Sequence, residues 1–343
     1  MAKESRASKI LYAINKLVAL VSLAAYALPF LAPKLFPFLS VLTLGFPLLL
    51  LVNFFFFAFW VLQLKKKFIP SALILILGVT FITKFYNFSD TKDRNTENDE
   101  ISLLSYNVRL FNKYEWLPSK TVPQDIFDFI AIESPSIVCL QEYAPSKNFN
   151  LNSYPYKYIS LHGNKVKTGQ AIFSKFPIIN KDVIGFPNSN NNVIYADLVI
   201  HLDTVRVYSM HLQSIKITKD LAEAEINEEN SKHIFNRISS AFTEQQLQSE
   251  LIADNYASCN YKKVMCGDMN NSAFSYVYRT IKDDMNDAFE KAGSGFGRSY
   301  NFNYYPARID YIFLDKSFEC TYFKTDQSFK NSDHFPLLTS FKI

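Results

Sequence analysis

The chain of 343 residues is 48% hydrophobic and carries a formal net charge of +4, with a pI near 8.6. Residues 1–100 hold 11 of the 36 basic and 6 of the 32 acidic residues, a net of +5, which leaves 25 basic against 26 acidic, a net of −1, for 101–343. That larger part lacks the basic excess of a domain that grips duplex DNA through many phosphates. Four cysteines in so long a chain make no disulfide framework. Cys139 and Cys266 sit in apolar runs and read as small buried side chains, while Cys259 and Cys320 are free to pair or not.

Three apolar segments open the chain. Residues 11–32 are broken by Asn15 and Lys16, where a lysine can snorkel to the headgroups. Residues 36–62 are interrupted by Asn53, and 68–85 are long enough to span. A signal peptide accounts for the first segment alone, so the three together read as membrane helices in contact with a lipid bilayer. Lys3, Arg6 and Lys9 precede the first segment, Lys65, Lys66 and Lys67 separate the second and third, and the first turn holds only Lys34. The positive-inside rule then puts the N-terminus in the cytoplasm and everything after Phe85 outside it, in the periplasm if the cell is Gram-negative. The expected organisation is an anchor over 1–86, a polar flexible linker over 87–100 and a large domain over 101–343.

From Ile101 onward, strand-like and helix-like runs alternate. Strands are expected at 101–106, 137–140, 170–174, 193–200, 205–210, 263–266, 309–314, 318–323 and 336–341. The pair at 193–200 and 205–210 should join across 201–204. Helical spacing of Ile126, Phe129 and Ile130 predicts a helix over 124–133, stopped by Pro135, and 220–254 reads as a long helix striped by Ile234, Ile238, Phe242, Leu247 and Leu251. Interleaved strands and helices imply a layered α/β domain.

Several strand runs end in a polar residue of a useful type: Asn107, Glu142, Asp268 with Asn270, and Asp310. Near the C-terminus Asp333-His334 precedes the last apolar run. An imidazole supplies a proton acceptor near neutral pH, and a carboxylate supplies a hard oxygen ligand.

The ordered pieces SYN (Ser105 to Asn107), QE (Gln141, Glu142), TGQAIFSKFPI (Thr168 to Ile178), SMH (Ser209 to His211), GDMN (Gly267 to Asn270), RIDYIF (Arg308 to Phe313) and SDHFPL (Ser332 to Leu337) resemble the endonuclease/exonuclease/phosphatase superfamily. The resemblance covers residues 101–343. It implies a four-layer α/β/β/α sandwich of the DNase I-like kind, here preceded by three transmembrane helices, with the site at the sheet edges. It also implies that Asp268 and Asn270 hold the attacking water and the phosphate while His211 stabilises transition-state charge.

The residue types support this chemistry on their own. Mg²⁺, with Mn²⁺ as the alternative, needs one or two carboxylates among its oxygen ligands. Glu142 is the first ligand, Asn107 adds or orients through its amide, and Asp333 completes the site. His334 is the candidate base, and Asp310 holds its ring in the useful tautomer. Whether Asp268 or His334 takes the proton stays open at this point. Arg109, where some relatives carry an acidic residue, is a candidate substrate-phosphate contact and argues against a simple abasic-site nuclease.

His162, His201 and His233 read as surface or loop residues, Gly293 to Gly297 as a flexible loop, and the acidic run at 223–229 as a solvated helix face. The expected protein is therefore a membrane-anchored Mg²⁺-dependent phosphoesterase hydrolysing a phosphodiester, with a phospholipid headgroup or small phosphodiester favoured. A nuclease acting on DNA or RNA is the alternative, and a silent membrane scaffold the alternative from another class.

Overall fold

The computed structural model describes residues 5–90, 94, 99–146, 149, 151–163, 166–215, 227–302 and 305–343. Lys3, most of the expected linker, the start of the expected 220–254 helix and Glu223 of the acidic run lie outside the described residues. The chain divides into two compact units: 1–86 with 216–246 and 272–279, and 87–215 with 247–271 and 280–343.

In the first unit, helices α1 (Arg6–Ala25), α2 (Pro37–Leu42), α3 (Phe46–Leu62), α4 (Ile69–Leu77) and α5 (Val79–Phe85) follow one another. Ser5 caps α1 by accepting from the Ser8 N–H. Two stretches, Arg6–Phe30 and Pro37–Leu62, are long and apolar enough to cross a membrane. The third differs from the straight span the sequence suggests: α4 and α5 meet at a 62° bend, so three spans are reached only if this bent pair counts as one. The bend falls at Gly78, whose missing side chain leaves room for the Tyr26 hydroxyl, and that hydroxyl donates to the Ile74 carbonyl at 2.5 Å. The polar residues interrupting the apolar runs find partners rather than lipid. Asn53 Nδ2 donates to Ser22 Oγ at 2.7 Å, and Ser71 Oγ donates to Asn15 Oδ1 at 2.6 Å, the kind of interhelical bond that holds apolar helices together.

The second unit contains twelve labelled strands: β1 (Ile101–Asn107), β2 (Ile137–Tyr143), β3 (Tyr156–His162), β4 (Thr168–Ser174), β5 (Ile178–Gly185), β6 (Asn192–Ile200), β7 (Asp203–His211), β8 (Lys262–Asp268), β9 (Asn286–Asp287), β10 (Asp310–Leu314), β11 (Glu319–Thr325) and β12 (Leu337–Lys342). They form two six-stranded sheets, ordered β11-β12-β1-β2-β4-β3 and β9-β10-β8-β7-β6-β5. Every expected strand is present, with ends shifted by a few residues. The sequence reading missed β3, β5 and the two-residue β9, all at sheet edges; β3 and β5 keep one side in water and lose their apolar signature. Helices α6 (Val122–Glu133), α7 (Glu228–Ala257), α8 (Tyr276–Lys282) and α9 (Ala288–Ala292) complete the elements.

Side chains alternate across a strand, and both faces of β1 are buried. Leu103 joins Ile137, Cys139, Ile172, Ile194, Val207, Val264, Cys266 and Ile312 between the sheets. Leu104 faces outward with Val138 and Leu140 against Val122, Ile126 and Ile130 of α6. On the other outer face, Tyr208 of β7 donates to Asn255 of α7 at 3.0 Å. This is the four-layer architecture, and it explains why the central strands read as continuous apolar runs. Two described residues of the expected linker are docked in this unit: Asn87, at its start, donates to the Phe289 carbonyl at 2.9 Å, and Arg94, in its middle, pairs with Glu133 at 3.0 Å.

Strand direction places the chemistry. In each sheet the one parallel pair is central, β1 with β2 and β7 with β8. The carboxyl ends of these four strands carry Asn107, Glu142, His211 and Asp268. Antiparallel β10 starts at Asp310, opposite Asp268, and β12 starts at Leu337, opposite Ser105, so His334 arrives at the same end.

Candidate active site

Two local departures from regular structure aim the side chains. The pairing of β2 with β4 shifts between Leu140 and Tyr143, and Glu142 within the shift has φ +48°. A non-glycine residue in the left-handed region costs of order 1–3 kcal/mol and persists where the surroundings fix it. Gly267 has φ +128°, and a side chain there would strike the Met210 carbonyl of the neighbouring parallel strand. The glycine lets β7 and β8 close up immediately before Asp268.

Asp268 is the hub. It is buried; Asn270 N donates to its Oδ1 at 2.8 Å, and the amides of Asn107 and Asn270 donate to its Oδ2 at 3.1 and 3.2 Å. Asn107 Nδ2 also reaches Glu142 Oε1 at 3.3 Å. His211 Nε2 lies 3.7 Å from Glu142 and 3.8 Å from Asp268. On the far side, His334 Nε2 is 3.6 Å from Asp268 Oδ2, while its Nδ1 is held by both Asp310 oxygens at 2.9 and 3.1 Å. The result is a continuous chain from Glu142 through Asn107 and Asp268 to His334 and Asp310.

The charge states follow from burial and these neighbours. Burial pushes the Asp268 carboxyl up to about 8, against the pull of His334, with Asp310 and Glu142 adding to the rise. For His334 burial pulls downward, but Asp310 and Asp268 outweigh it and raise the ring to about 10. Held by Asp310 and facing Asp268, the ring is an imidazolium at neutral pH, a state that donates rather than accepts. Burial lowers His211, with Glu142 opposing; His162, half-buried at the end of β3, is close enough to add to that lowering. His201 and His233 are exposed, as expected of loop and surface residues.

Asp268, Asp310 and His334 each offer a ligand atom within 4.8 Å of the others, a grouping able to hold a metal ion. Asp310 is committed to the imidazole through both oxygens, however, and all three residues are buried. The Glu142 side suits a hard cation better. Glu142 and Asp268 converge on one amide, and among the described residues the only ion-pairing group near Glu142 is His211. Two carboxylates that share the Asn107 Nδ2 donor, with no lysine or arginine paired to Glu142 among the described residues, fit a divalent cation; Asn107 Oδ1 itself accepts from the Arg109 N–H at 3.1 Å. Asp333 points elsewhere: its carboxylate pairs with Arg109 Nε at 3.2 Å and accepts from Ser332 Oγ at 3.2 Å.

Some supporting residues escaped the sequence reading. Ser299 Oγ accepts from Ile309 N and Asp310 N at 3.0 and 2.9 Å, and its carbonyl accepts from Phe335 N at 2.7 Å. It thereby ties the Asp310 strand to the His334 segment. Tyr300 packs edge-on to His334, ring centroids 4.9 Å apart. Ser332 Oγ donates to the Asn107 carbonyl at 2.8 Å. Beneath the site, Gln141 Nε2 donates to Ser209 Oγ at 2.9 Å, and Ser209 donates to Gln170 Oε1 at 2.8 Å, linking the two sheets. Only Gln141, Gln170, Ser209 and Ser332 lay within the motif strings; nothing marked Ser299 or Tyr300.

A two-sheet sandwich with amides, carboxylates and imidazoles at the carboxyl ends of its parallel strands defines a hydrolase of the DNase I-like class. The chain belongs to the endonuclease/exonuclease/phosphatase family, whose model matches residues 104–334. A second model, Domain of unknown function (DUF8431), matches residues 8–85. No curated protein matches the chain. Among solved structures, humanized zebrafish (D. rerio) TDP2 is similar at 16% identity and TM-score 0.54, over 72% of this chain and 100% of that one. An endonuclease/exonuclease/phosphatase from Beutenbergia cavernae gives 16% and 0.52 over 72% of each chain. The human Nocturnin catalytic domain gives 15% and 0.52 over 73% and 95%. At these identities the likeness is one of fold.

Proposed function

We propose that the protein is a metal-dependent phosphodiesterase, anchored in a membrane by its N-terminal helices, that hydrolyses a phospholipid headgroup or small phosphodiester by attack of water. The observation that carries this reading is the position of Asp268, between the Glu142 carboxylate, which shares the Asn107 donor with it and suits a cation, and the imidazole held by Asp310. Glu142 and Asn107 would hold the cation, Mg²⁺ in the first instance. When bound, that ion would neutralise charge on a phosphoryl oxygen.

The protein's own groups supply the rest. Asp268, its carboxyl lifted towards neutrality and fixed by three N–H donors, takes the proton from water, because a base works best with a pKa near the working pH. This departs from the sequence-based assignment of the base to His334, which is charged in this environment. The imidazolium, held by Asp310, instead donates to the phosphoryl oxygen as charge develops. Neutral His211 donates a second hydrogen bond, and Asn270 keeps Asp268 in register.

Full-length protein in detergent with Mg²⁺, assayed against phosphatidylinositol phosphates, sphingomyelin, bis(p-nitrophenyl) phosphate and single-stranded DNA, tests the reading. Metal-dependent turnover of at least one lipid or small diester is expected; turnover of DNA alone would replace it with a nuclease. The nuclease is the second reading because zebrafish TDP2, similar in fold, has been crystallised with a single-strand DNA product.

We also propose that Lys65, Lys66 and Lys67 face the cytoplasm and that residues 101–343 lie across the membrane. Reporter fusions at the 63–67 turn and at the C-terminus should report opposite compartments. The same compartment for both would leave the bent α4–α5 pair as a re-entrant element rather than a span.

A further inference from the structure

Between Asn107 and α6 the chain makes an excursion whose residues 113–116 are exposed. Arg109, Leu110, Phe111 and Asn112 all have positive φ, between 42° and 58°. Four successive non-glycine residues in the left-handed region are costly, so the turn must be held. Phe111 anchors it from below, 5.5 Å from the Tyr143 ring and 4.6 Å from the Phe149 ring. Asn112 closes it from above: its amide donates to the Leu117 and Ser119 carbonyls at 2.9 and 3.0 Å, and its Oδ1 accepts from Leu117 N at 2.8 Å. The turn thus presents Tyr114 and Trp116 to solvent, 55% and 42% exposed, with their rings 5.2 Å apart.

Arg109 connects this pair to the site. Its guanidinium lies 4.4 Å from the centre of the Trp116 ring and 3.2 Å from Asp333, and its backbone N–H donates to Asn107 Oδ1 at 3.1 Å. One side chain therefore separates an exposed indole from the residues around the cation site. We propose that Tyr114, Trp116 and Arg109 form a stacking subsite, and that the phosphodiester this site takes bears a nucleobase on one side of its phosphate. This rests on the phosphodiesterase reading above and narrows it. Every base offers a face to an aromatic ring or a guanidinium.

Charge limits the ligand further. With a net of −1 over 101–343, a short nucleotide ester suits the surface better than a long polyanion. A lipid surface suits it less. Exposed Lys113 and Glu115 alternate with the two rings, which breaks any continuous apolar patch, and the Glu115 carboxylate repels anionic headgroups.

The chain has two tryptophans, Trp60 and Trp116, so the difference in fluorescence between wild type and Trp116→Phe isolates the second. In full-length protein in detergent, AMP should quench that signal. Trp116→Ala should raise KM for a dinucleoside phosphodiester roughly tenfold with little change in kcat, and Trp116→Phe should recover most of the loss. The ratio of kcat/KM for the dinucleoside over glycerophosphoethanolamine, a diester with no ring, should fall with it. Tyr114→Ala should act in the same direction.

Absence of quenching by AMP, or equal losses on both esters, overturns the subsite. Losses confined to phospholipid vesicles overturn it in favour of a lipid-facing shelf. Quenching by AMP in a protein that hydrolyses neither ester would uphold the subsite and remove the phosphodiesterase reading instead.

Discussion

Glu142→Gln is expected to abolish hydrolysis at limiting Mg²⁺ while leaving the metal-free protein at least as stable as wild type. The two effects have one cause. Glu142 and Asp268 are carboxylates gathered on the Asn107 amide, with no lysine or arginine beside Glu142 among the described residues. Without a cation their repulsion is a cost, expressed in the upward displacement of Asp268, to which Glu142 contributes. With a cation that same charge becomes the source of affinity. Glutamine keeps the shape, the left-handed backbone and the bond from Asn107, but removes one formal charge. Calorimetric titration of Mg²⁺ should show affinity down by roughly a hundredfold or more, the scale of losing a metal-site carboxylate rather than an outlying partner. Thermal melts without metal should show no drop in Tm. Unchanged Mg²⁺ affinity would remove Glu142 from the cation's ligands and return the grouping of Asp268, Asp310 and His334 to consideration.

The architecture was legible because the central strands are buried on both faces. Runs such as Leu103-Leu104 and Val138-Cys139-Leu140 are apolar whichever way each side chain points, so they could be found without knowing their partners. The edge strands β3 and β5 had no such signature. The apolar segment at 68–85 showed the same limit in the other unit: hydropathy counts residues along the chain and cannot register a bend at Gly78.

The site residues were legible as types at strand ends, and the structure brings Asn107, Glu142, His211, Asp268, Asn270, Asp310 and His334 to one place. Their pairing was not legible. Asp333 stands next to His334 in sequence, yet its carboxylate meets Arg109, and the ring meets Asp310 from another strand. Proton assignment depends on those pairings, which is why an imidazole alone reads as a base and the same imidazole between two carboxylates does not. The left-handed backbones of Glu142 and of residues 109–112 leave no mark in a sequence whose glycines lie elsewhere.

His334→Ala and Asp310→Ala should each lower the rate by two or more orders of magnitude, and the double variant should fall only slightly further. In the proposed mechanism the two side chains supply one function, a charged donor aimed at the phosphoryl oxygen. Loss of one such donor costs about 10²–10³ in rate, and a function removed once cannot be removed again. Asp310 acts here through the ring it holds at 2.9 Å, so its removal should also be visible on that ring: the His334 titration followed by NMR should move downward in Asp310→Ala, because the largest of the influences that raise it is gone. If Asp310 served only to close the start of β10, Asp310→Ala would lower Tm with a modest loss of rate, the His334 titration would stay in place, and the two rate effects would add, as they do for independent sites. Asp268→Asn supplies the control for proton transfer. It should abolish turnover in the presence of an intact His334–Asp310 pair, whereas appreciable turnover would give the proton back to the imidazole.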